Sequence, residues 1–339
     1  GAACARCRWR LRRLALGLWL HTLRRGRHAL HAYLRDAAQR PVYLLVSHHH
    51  LDRRRVIARL KRSGEVSFVC LIHDLIPIDY PRYARPGQDR RHRCRIETAG
   101  ALADAVIVAS SDTRRALEPY FRRAGRFPPV LVAPFGVNPV NIPLTGSSLP
   151  RAPYFVCVAT IEPRKNHLLL LTLWRELVAE QPSSAPRLVL IGRRGWERGS
   201  TIELLDRCPA LHDFVLERNH VPDTEMARLL NGARALLLPS FAEGFGFPLV
   251  EALALGIPVL CSDLAALHEH GGEIPEYFDP LDTAAWRAAI IDYARADSPR
   301  HADQLRRLAG WKSATWGDHF AAVEAFVAET AARPPNSGL

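Results

Sequence analysis

The sequence predicts an α/β protein built of two parallel-sheet domains, on three observations. Its 339 residues exceed what one ordinary core holds and suit two. Short apolar runs of strand length alternate with helix-forming stretches, the order of a parallel sheet. The third is the stretch 235–263, ALLLPSFAEGFGFPLVEALALGIPVLCSD, which contains the repeating unit in one piece. An apolar strand over 235–239 leads into a glycine loop over 240–247, a helix-forming segment over 249–255 and a second buried strand over 257–261. Pro248 falls at the helix start, where a missing N–H is tolerated. Gly256 suits the left-handed residue that ends a helix.

The chemistry of this unit belongs at its turn. In open α/β sheets ligands bind beyond the carboxyl ends of the strands. Gly244 and Gly246 lack the Cβ that would hold a backbone away from a ligand. The helix behind them presents unpaired N–H groups and a positive dipole end, which favour phosphate. Glu243 and Glu251 flank the loop. Carboxylates repel phosphate but accept hydrogen bonds from neutral hydroxyls, so the pair suits a hexose and a ribose. By spacing alone, the same residues read equally well as a solvated loop glutamate and a helix-start glutamate held by the dipole.

Composition is that of a globular chain, 48% hydrophobic and 24% charged, with no apolar run long enough to span a membrane. The formal net charge is +12, carried almost wholly by Arg. It suits nucleic acid, an anionic membrane surface or a phosphorylated substrate, and is discounted in part because Arg usage also follows a GC-rich genome. No basic strand interleaved with aromatics is present, which argues against nucleic acid. The 7 cysteines lack framework spacing, against a secreted disulfide scaffold and for a reducing cytoplasm. Cys70, Cys157 and Cys261 fall in expected strands as buried thiols, while Cys4 and Cys7 form a lone CxxC, weak evidence for zinc.

Taken from the start, 6–35 repeats Leu11, Leu14, Leu18 and Trp19 at helical spacing between clusters of Arg. An interfacial helix on an anionic membrane and an amphipathic helix packed on the sheet both fit, the second slightly better. A signal peptide is not expected, because no small-residue cleavage site follows. A strand over 42–47 ends in His48, His49 and His50, which point to alternate sides and do not form a zinc site together. One of them facing the cleft is the expectation. The strand over 66–72 runs into His73 and Asp74, where α/β enzymes keep working groups, a capping histidine being the plain alternative. A polar helix over 90–100, a strand over 105–110, a helix capped by Ser111 or Asp112 and a strand over 129–134 complete the first half.

A Pro-, Gly- and Ser-rich linker leads to a strand over 154–159 and a loop holding Arg164 and Lys165. These cations sit beside the start of a leucine-rich helix, where they oppose the dipole and need an anion to justify their place. Beyond them lie strands over 187–191 and 214–216, a loop over 192–196 placed to border a nucleotide, a helix over 225–230 and a final helix over 318–328.

EGFGFPLVEALALGIPV, with FVCLIHDLIPIDYP and EPRKN before it, resembles the retaining glycosyltransferases of family 4, over about residues 66–330. The resemblance implies the GT-B fold: α/β, with two facing Rossmann-like domains and a cleft between them. The expected divisions are an acceptor-side domain over 1–140, a linker over 141–153, a nucleotide-sugar domain over 154–312, a helix over 313–330 crossing back, and a disordered tail over 331–339. It further implies that Glu243 lies against the donor sugar and that Glu251 binds the ribose. Gly244, Phe245, Gly246 and Phe247 would meet the diphosphate, Lys165 and Arg164 would hold it, and His73 would face the sugar across the cleft. His73, Glu243, Arg164 and Lys165 are then the catalytic set. The Gly-Arg pair of many relatives is replaced near Ala159 and Thr160, which leaves Arg164 as the second cation. The chain starts GAACAR and shows no first strand with a glycine-rich turn, so part of a natural amino terminus is expected to be missing.

The expected function is retaining, metal-independent hexosyl transfer, with mannose from GDP-mannose first, onto a saccharide or lipid-linked saccharide in bacterial cell-surface polysaccharide synthesis. No Asp-x-Asp motif stands beside a strand end, and neither metal nor cofactor is expected beyond the nucleotide sugar. A UDP-hexose donor and a non-catalytic nucleotide-binding protein are the alternatives. The expected location is the cytoplasm, peripheral on the inner face of the membrane, with an anionic membrane surface as a further partner and no nucleic acid.

Overall fold

The computed structural model describes residues 40–333 apart from 65, 139–149, 151–152 and 197–198, with a few positions between 25 and 37. Most of the expected helix over 6–35, the Cys4/Cys7 pair, most of the linker and the end of the tail lie outside the described residues.

The first domain is a four-stranded parallel sheet in the order β1-β2-β3-β4. Its strands are β1 (Val42–Leu45), β2 (Ser67–Ile72), β3 (Ala105–Val108) and β4 (Val130–Val132), connected by helices α1 (Arg54–Gly64), α2 (Gln88–Leu102) and α3 (Ser111–Ala124). Every residue of β2 and β3 is buried, as expected of strands covered on both faces, whose sequence reads as an unbroken apolar run rather than an alternation. The β3 strand stops at Val108, short of the expected 110, because Ser110 leaves it to cap α3. Its side chain accepts the N–H of Thr113 at 3.2 Å. The cap is therefore Ser110 and not Ser111 or Asp112. Both of those lie inside the first turn.

The second domain is a six-stranded parallel sheet in the order β10-β9-β8-β5-β6-β7. It is built from β5 (Tyr154–Val158), α4 (His167–Glu180), β6 (Arg187–Ile191), α5 (Ser200–Arg207), β7 (Val215–Arg218) and α6 (Asp223–Asn231). The chain then returns to the middle of the sheet with β8 (Leu236–Leu238), α7 (Phe247–Ala254), β9 (Val259–Ser262), α8 (Ala265–Gly271) and β10 (Glu276–Phe278). Helices α9 (Thr283–Ala294) and α10 (Pro299–Leu308) follow. Gly256 takes the left-handed φ of 76° just past α7, as its place in the sequence predicts.

This order contains a switch. Chain growth runs outward from β5 through β6 to β7, then restarts on the other side of β5 with β8. Such a reversal leaves a crevice at the carboxyl ends of the two central strands, where α/β sheets bind ligands. The loops leaving β5 and β8 are the ones carrying Arg164, Lys165 and Glu243.

The last helix, α11 (Trp316–Ala332), begins with a reciprocal cap between Thr315 and Asp318 and packs back on the first domain. His319 Nδ1 lies 3.2 and 3.1 Å from the carbonyls of Ala133 and Pro134. One continuous apolar core runs from Val69 and Ile107 of the first sheet through Phe135 and Phe245 to Val189 and Leu236 of the second. Cys70, Cys157 and Cys261 are buried free thiols, as the strand pattern predicts. Among the described residues no helix is long and apolar enough to cross a membrane.

Candidate active site

At the switch point, the chain leaving β5 makes a single 3-10 turn, Pro163–Lys165, and enters α4 through Asn166 in the left-handed region, φ 53°. The chain leaving β8 folds against it, the Phe241 N–H donating to the Arg164 carbonyl at 2.8 Å. This brings three predicted residues into one cluster. Lys165 Nζ and Ser240 Oγ each donate to Glu243 Oε1 at 2.6 Å. Arg164 donates to Glu243 Oε2 at 3.1 Å and to Glu162 Oε1 at 3.0 Å. The Glu243 side chain is 7% exposed and that of Lys165 11%. Glu243 is therefore no solvated loop residue.

Burial alone would push the Glu243 carboxyl up, but Lys165 and then Arg164 outweigh it and hold the carboxyl below the usual range. For Arg164, burial opposes the charge, and Glu243 and Glu162 more than restore it. The set is two cations against two carboxylates, closed on itself. Lys165 carries three donors and Arg164 five; Arg164 also donates to the Ala242 carbonyl at 2.6 Å, and both still keep N–H groups beyond these bonds.

The first domain meets this cluster through the chain leaving β2. His73 is exposed, and the peptide carrying it is gripped by two further histidines. The His73 N–H donates to His48 Nε2 at 3.2 Å, and His92 Nε2 lies 2.9 Å from the Asp74 carbonyl, to which it donates. The His48 ring is 5.0 Å from His73 and 4.7 Å from His92. Burial first, then the neighbouring His92 and His73, lower the His48 pKa to about 3, which keeps it neutral and able to accept. Among the described residues no group of three or more His, Cys, Asp or Glu is placed to hold a metal ion.

Gly244 explains how the domains come so close. A Cβ there would stand 2.8 Å from the Asp74 Cβ and 3.0 Å from the His73 carbonyl. Asp74 and the His73 carbonyl fill the place that a side chain at 244 would need, and Gly244 itself lines a cavity between the domains. Gly246 sits at φ 86° as the residue that opens α7, a conformation that costs glycine least. The rings of Phe245 and Phe247 pack on Phe135 at 5.2 and 5.3 Å. Phe245 is buried in this contact between the domains, whereas Phe247 keeps 38% of its surface exposed.

Glu251 stands apart from Glu243. It lines a separate cavity of about 160 Å³ with Asn138, Asp223 and Met226. Burial and then Asp223 raise its pKa. Two larger cavities lie between the domains and share Asp74 and Ile76. One, of about 400 Å³, brings Asp74, Asp79, Asp112 and Glu243 against a single Arg115. With Glu243 already paired to Lys165 and Arg164, three further carboxylates against one guanidinium disfavour a diphosphate and suit hydroxyl groups. The other, of about 310 Å³, contains Arg85, Gln88, Glu162, Arg164 and Trp196. Each is of the size that holds a small ligand.

The sequence reading missed Ser240, His92 and Glu269. Ser240 stands three residues before Glu243, the one signal available. His92 lies within a polar helix with nothing to mark it. Glu269 reaches across to the first domain and accepts the Ser111 and Asp112 N–H groups at 2.7 and 3.3 Å. No pattern along the chain shows such a crossing.

The two sheets with a shared cleft define the class. The solved structure of sucrose-phosphate synthase from Thermosynechococcus elongatus matches with a TM-score of 0.61 over 86% of this chain and 74% of that one, at 21% identity. The pneumococcal O-GlcNAc transferase GtfA, solved with UDP and GlcNAc, matches with a TM-score of 0.63 over 90% of this chain and 60% of that one, at 14% identity. The protein has the GT-B fold, as the sequence resemblance implies.

Residues 152–295 match the family model described as Glycosyl transferases group 1, and the second domain of this protein is a group 1 glycosyltransferase domain. Escherichia coli O-antigen chain mannosyltransferase B is 36% identical over 163 residues, 48% of this chain and 42% of that protein. The serotype-specific mannosyltransferase WbdA of Escherichia coli is 27% identical over 244 residues, 67% of this chain and 30% of that protein. The chain thus spans less than half the length of these curated relatives.

Proposed function

We propose that the protein transfers mannose from GDP-mannose to a saccharide or lipid-linked saccharide during bacterial cell-surface polysaccharide synthesis, with retention of anomeric configuration. The observation that carries this reading is the Lys165–Glu243–Arg164 cluster at the switch point of a group 1 glycosyltransferase domain. The names of the mannosyltransferase relatives support the choice of sugar.

In this reading the free N–H donors of Lys165 and Arg164, with the amino end of α7, meet the charge that grows on the leaving diphosphate. Fixed donors aimed at developing charge commonly supply the largest part of such catalysis. Glu243 accepts hydrogen bonds from the sugar hydroxyls, and Glu251, in its own cavity, accepts them from the ribose. The bond from the sugar carbon to the diphosphate breaks as the acceptor oxygen attacks the same face, and the acceptor proton passes to the leaving phosphate oxygen. His73, held by its clamped peptide, supports the sugar rather than attacking it. We place the reaction at the cytoplasmic face of the membrane, where the net charge of +12 favours an anionic surface.

The test is release of nucleoside diphosphate from a panel of GDP-, UDP- and ADP-sugars, with and without EDTA. Turnover of GDP-mannose that persists in EDTA is expected. Preference for a UDP-hexose would move the donor assignment, and tight diphosphate binding without turnover of any sugar would leave a binder.

A further inference from the structure

The 310 Å³ cavity between the domains shares Glu162 and Arg164 with the diphosphate cluster and extends from them to Arg85, Gln88 and Trp196. Its charged lining is balanced, Asp74 and Glu162 against Arg85 and Arg164. Such a lining has no net pull on a polyphosphate or a cation, and offers donors and acceptors in equal measure to a neutral, hydroxyl-rich molecule. Gln88, exposed at the start of α2, adds an amide that both donates and accepts.

A second feature is how Trp196 arrives there. The loop after β6 runs alongside the loop after β5, Arg194 bridging to Ile161 as in a parallel sheet. Ile161 N–H donates to the Arg193 carbonyl at 3.0 Å, and Gly195 N–H to the Ile161 carbonyl at 2.9 Å. A Cβ on Gly195 would stand 2.9 Å from both the Ile161 carbonyl and Thr160 Cγ2, so only glycine lets the strands approach. Arg194 anchors the loop from outside, donating to Glu217 at 2.9 Å and to Asp206 at 2.7 Å. The result is a half-buried indole held on a braced loop at the edge of a polar cavity. Tyr83 lines the same cavity, stacked on Phe241 at 5.0 Å with the Arg82 guanidinium 4.8 Å from its ring centre.

An aromatic face beside balanced guanidinium, amide and carboxylate groups is the chemistry that recognises a pyranose, whose C–H face is apolar and whose edge is polar. We infer that this cavity is a pyranose subsite, with Trp196 of the second domain as its platform and Arg85 and Gln88 of the first as its hydroxyl partners. Its place beside Arg164, sharing Asp74 with the cavity that holds Glu243, makes it the seat of the acceptor sugar. That role rests on the hexosyltransferase reading, whereas the pyranose subsite itself does not.

The experiment uses the full chain, with methyl α-D-mannopyranoside as the probe and saturation-transfer NMR as the readout, beside calorimetric binding of GDP. Trp196→Ala is expected to weaken the probe about tenfold or more, the scale of one lost aromatic contact with its buried area. Trp196→Phe should restore most of that binding, and GDP affinity should be unchanged in both variants. Gln88→Ala, at an exposed helix start, gives a second reading if Trp196→Ala folds poorly, and should also weaken the probe. Equal probe binding by parent and both alanine variants, or none by the parent, overturns the inference. A loss of GDP affinity in Trp196→Ala also overturns it, because the indole would then stack on the nucleobase. Release of GDP from GDP-mannose is measured on the same samples. If the parent binds the probe through Trp196 but releases no GDP, the subsite stands and the transferase reading fails.

Discussion

Lys165 Nζ stands 2.6 Å from Oε1 of Glu243, and both side chains are about nine-tenths covered. A buried pair of this kind is weak evidence for net stability, yet removing one partner leaves the other charge stranded. We predict that Lys165→Met lowers stability, by about 3–5 kcal/mol if Arg164 does not compensate. It should also weaken nucleoside diphosphate binding by about 2–5 kcal/mol. Adding Glu243→Gln to Lys165→Met should recover most of the stability and none of the phosphate binding. Thermal melting and calorimetry on the two variants check this. Diphosphate binding that survives Lys165→Met would show that the loop does not hold phosphate.

Glu269 fastens the second domain to the first by accepting the Ser111 and Asp112 N–H groups at the start of α3. A carboxylate at a helix amino end contributes about 0.3–1 kcal/mol when exposed, and salt weakens it. Glu269→Gln should therefore leave each domain folded but speed hydrogen exchange at the Ser111 amide and widen the cleft at high salt. Unchanged exchange and an unchanged scattering profile would rule out the latch.

His48 gives the site a pH dependence of definite sign. Its folded pKa, about 3, lies below the ordinary 6.5, so between those values the unfolded chain takes up the proton more readily. The stabilisation is complete above pH 6.5, and is lost as the pH falls toward 3. His92, His167, His270 and His301 are lowered as well and act in the same direction. The measurement is therefore a difference: the melting temperature of the parent minus that of His48→Gln. We expect it to shrink as pH drops from 7 to 4. A constant difference would mean that His48 does not titrate in this window.

Much of the second domain was legible in the chain. β6 has the bounds that its apolar run predicts, and α7 and Gly256 follow from Pro and Gly placement alone. Parallel strands buried on both faces announce themselves as continuous apolar runs, which is why β2, β5 and β8 were found to within a residue or two. The cluster of Arg164, Lys165 and Glu243 was legible only as separate residues, each on a loop at the end of a strand. Their mutual pairing depends on β5 and β8 being neighbours, a fact of strand order that no local pattern carries. The same holds for Gly244. The sequence marks a position that needs close approach, but cannot say that Asp74 of the other domain is what approaches. His92 and Glu269 act only through contacts made across the fold, and nothing near them in the chain sets them apart.

The central claim is that Glu243 serves the sugar while Lys165 and Arg164 serve the diphosphate. It is tested most directly by measuring GDP affinity and GDP-mannose turnover for Glu243→Gln beside Glu251→Gln. Glu243→Gln releases both cations from a competing carboxylate, so GDP should bind as well as before or better. Turnover should fall by about 10- to 1000-fold, the scale of one oriented contact to a developing charge. Glu251→Gln should weaken GDP and donor alike, with the loss seen mainly in KM. If Glu243→Gln instead loses GDP affinity while turnover at saturating donor is preserved, the assignment of the sugar to Glu243 is wrong.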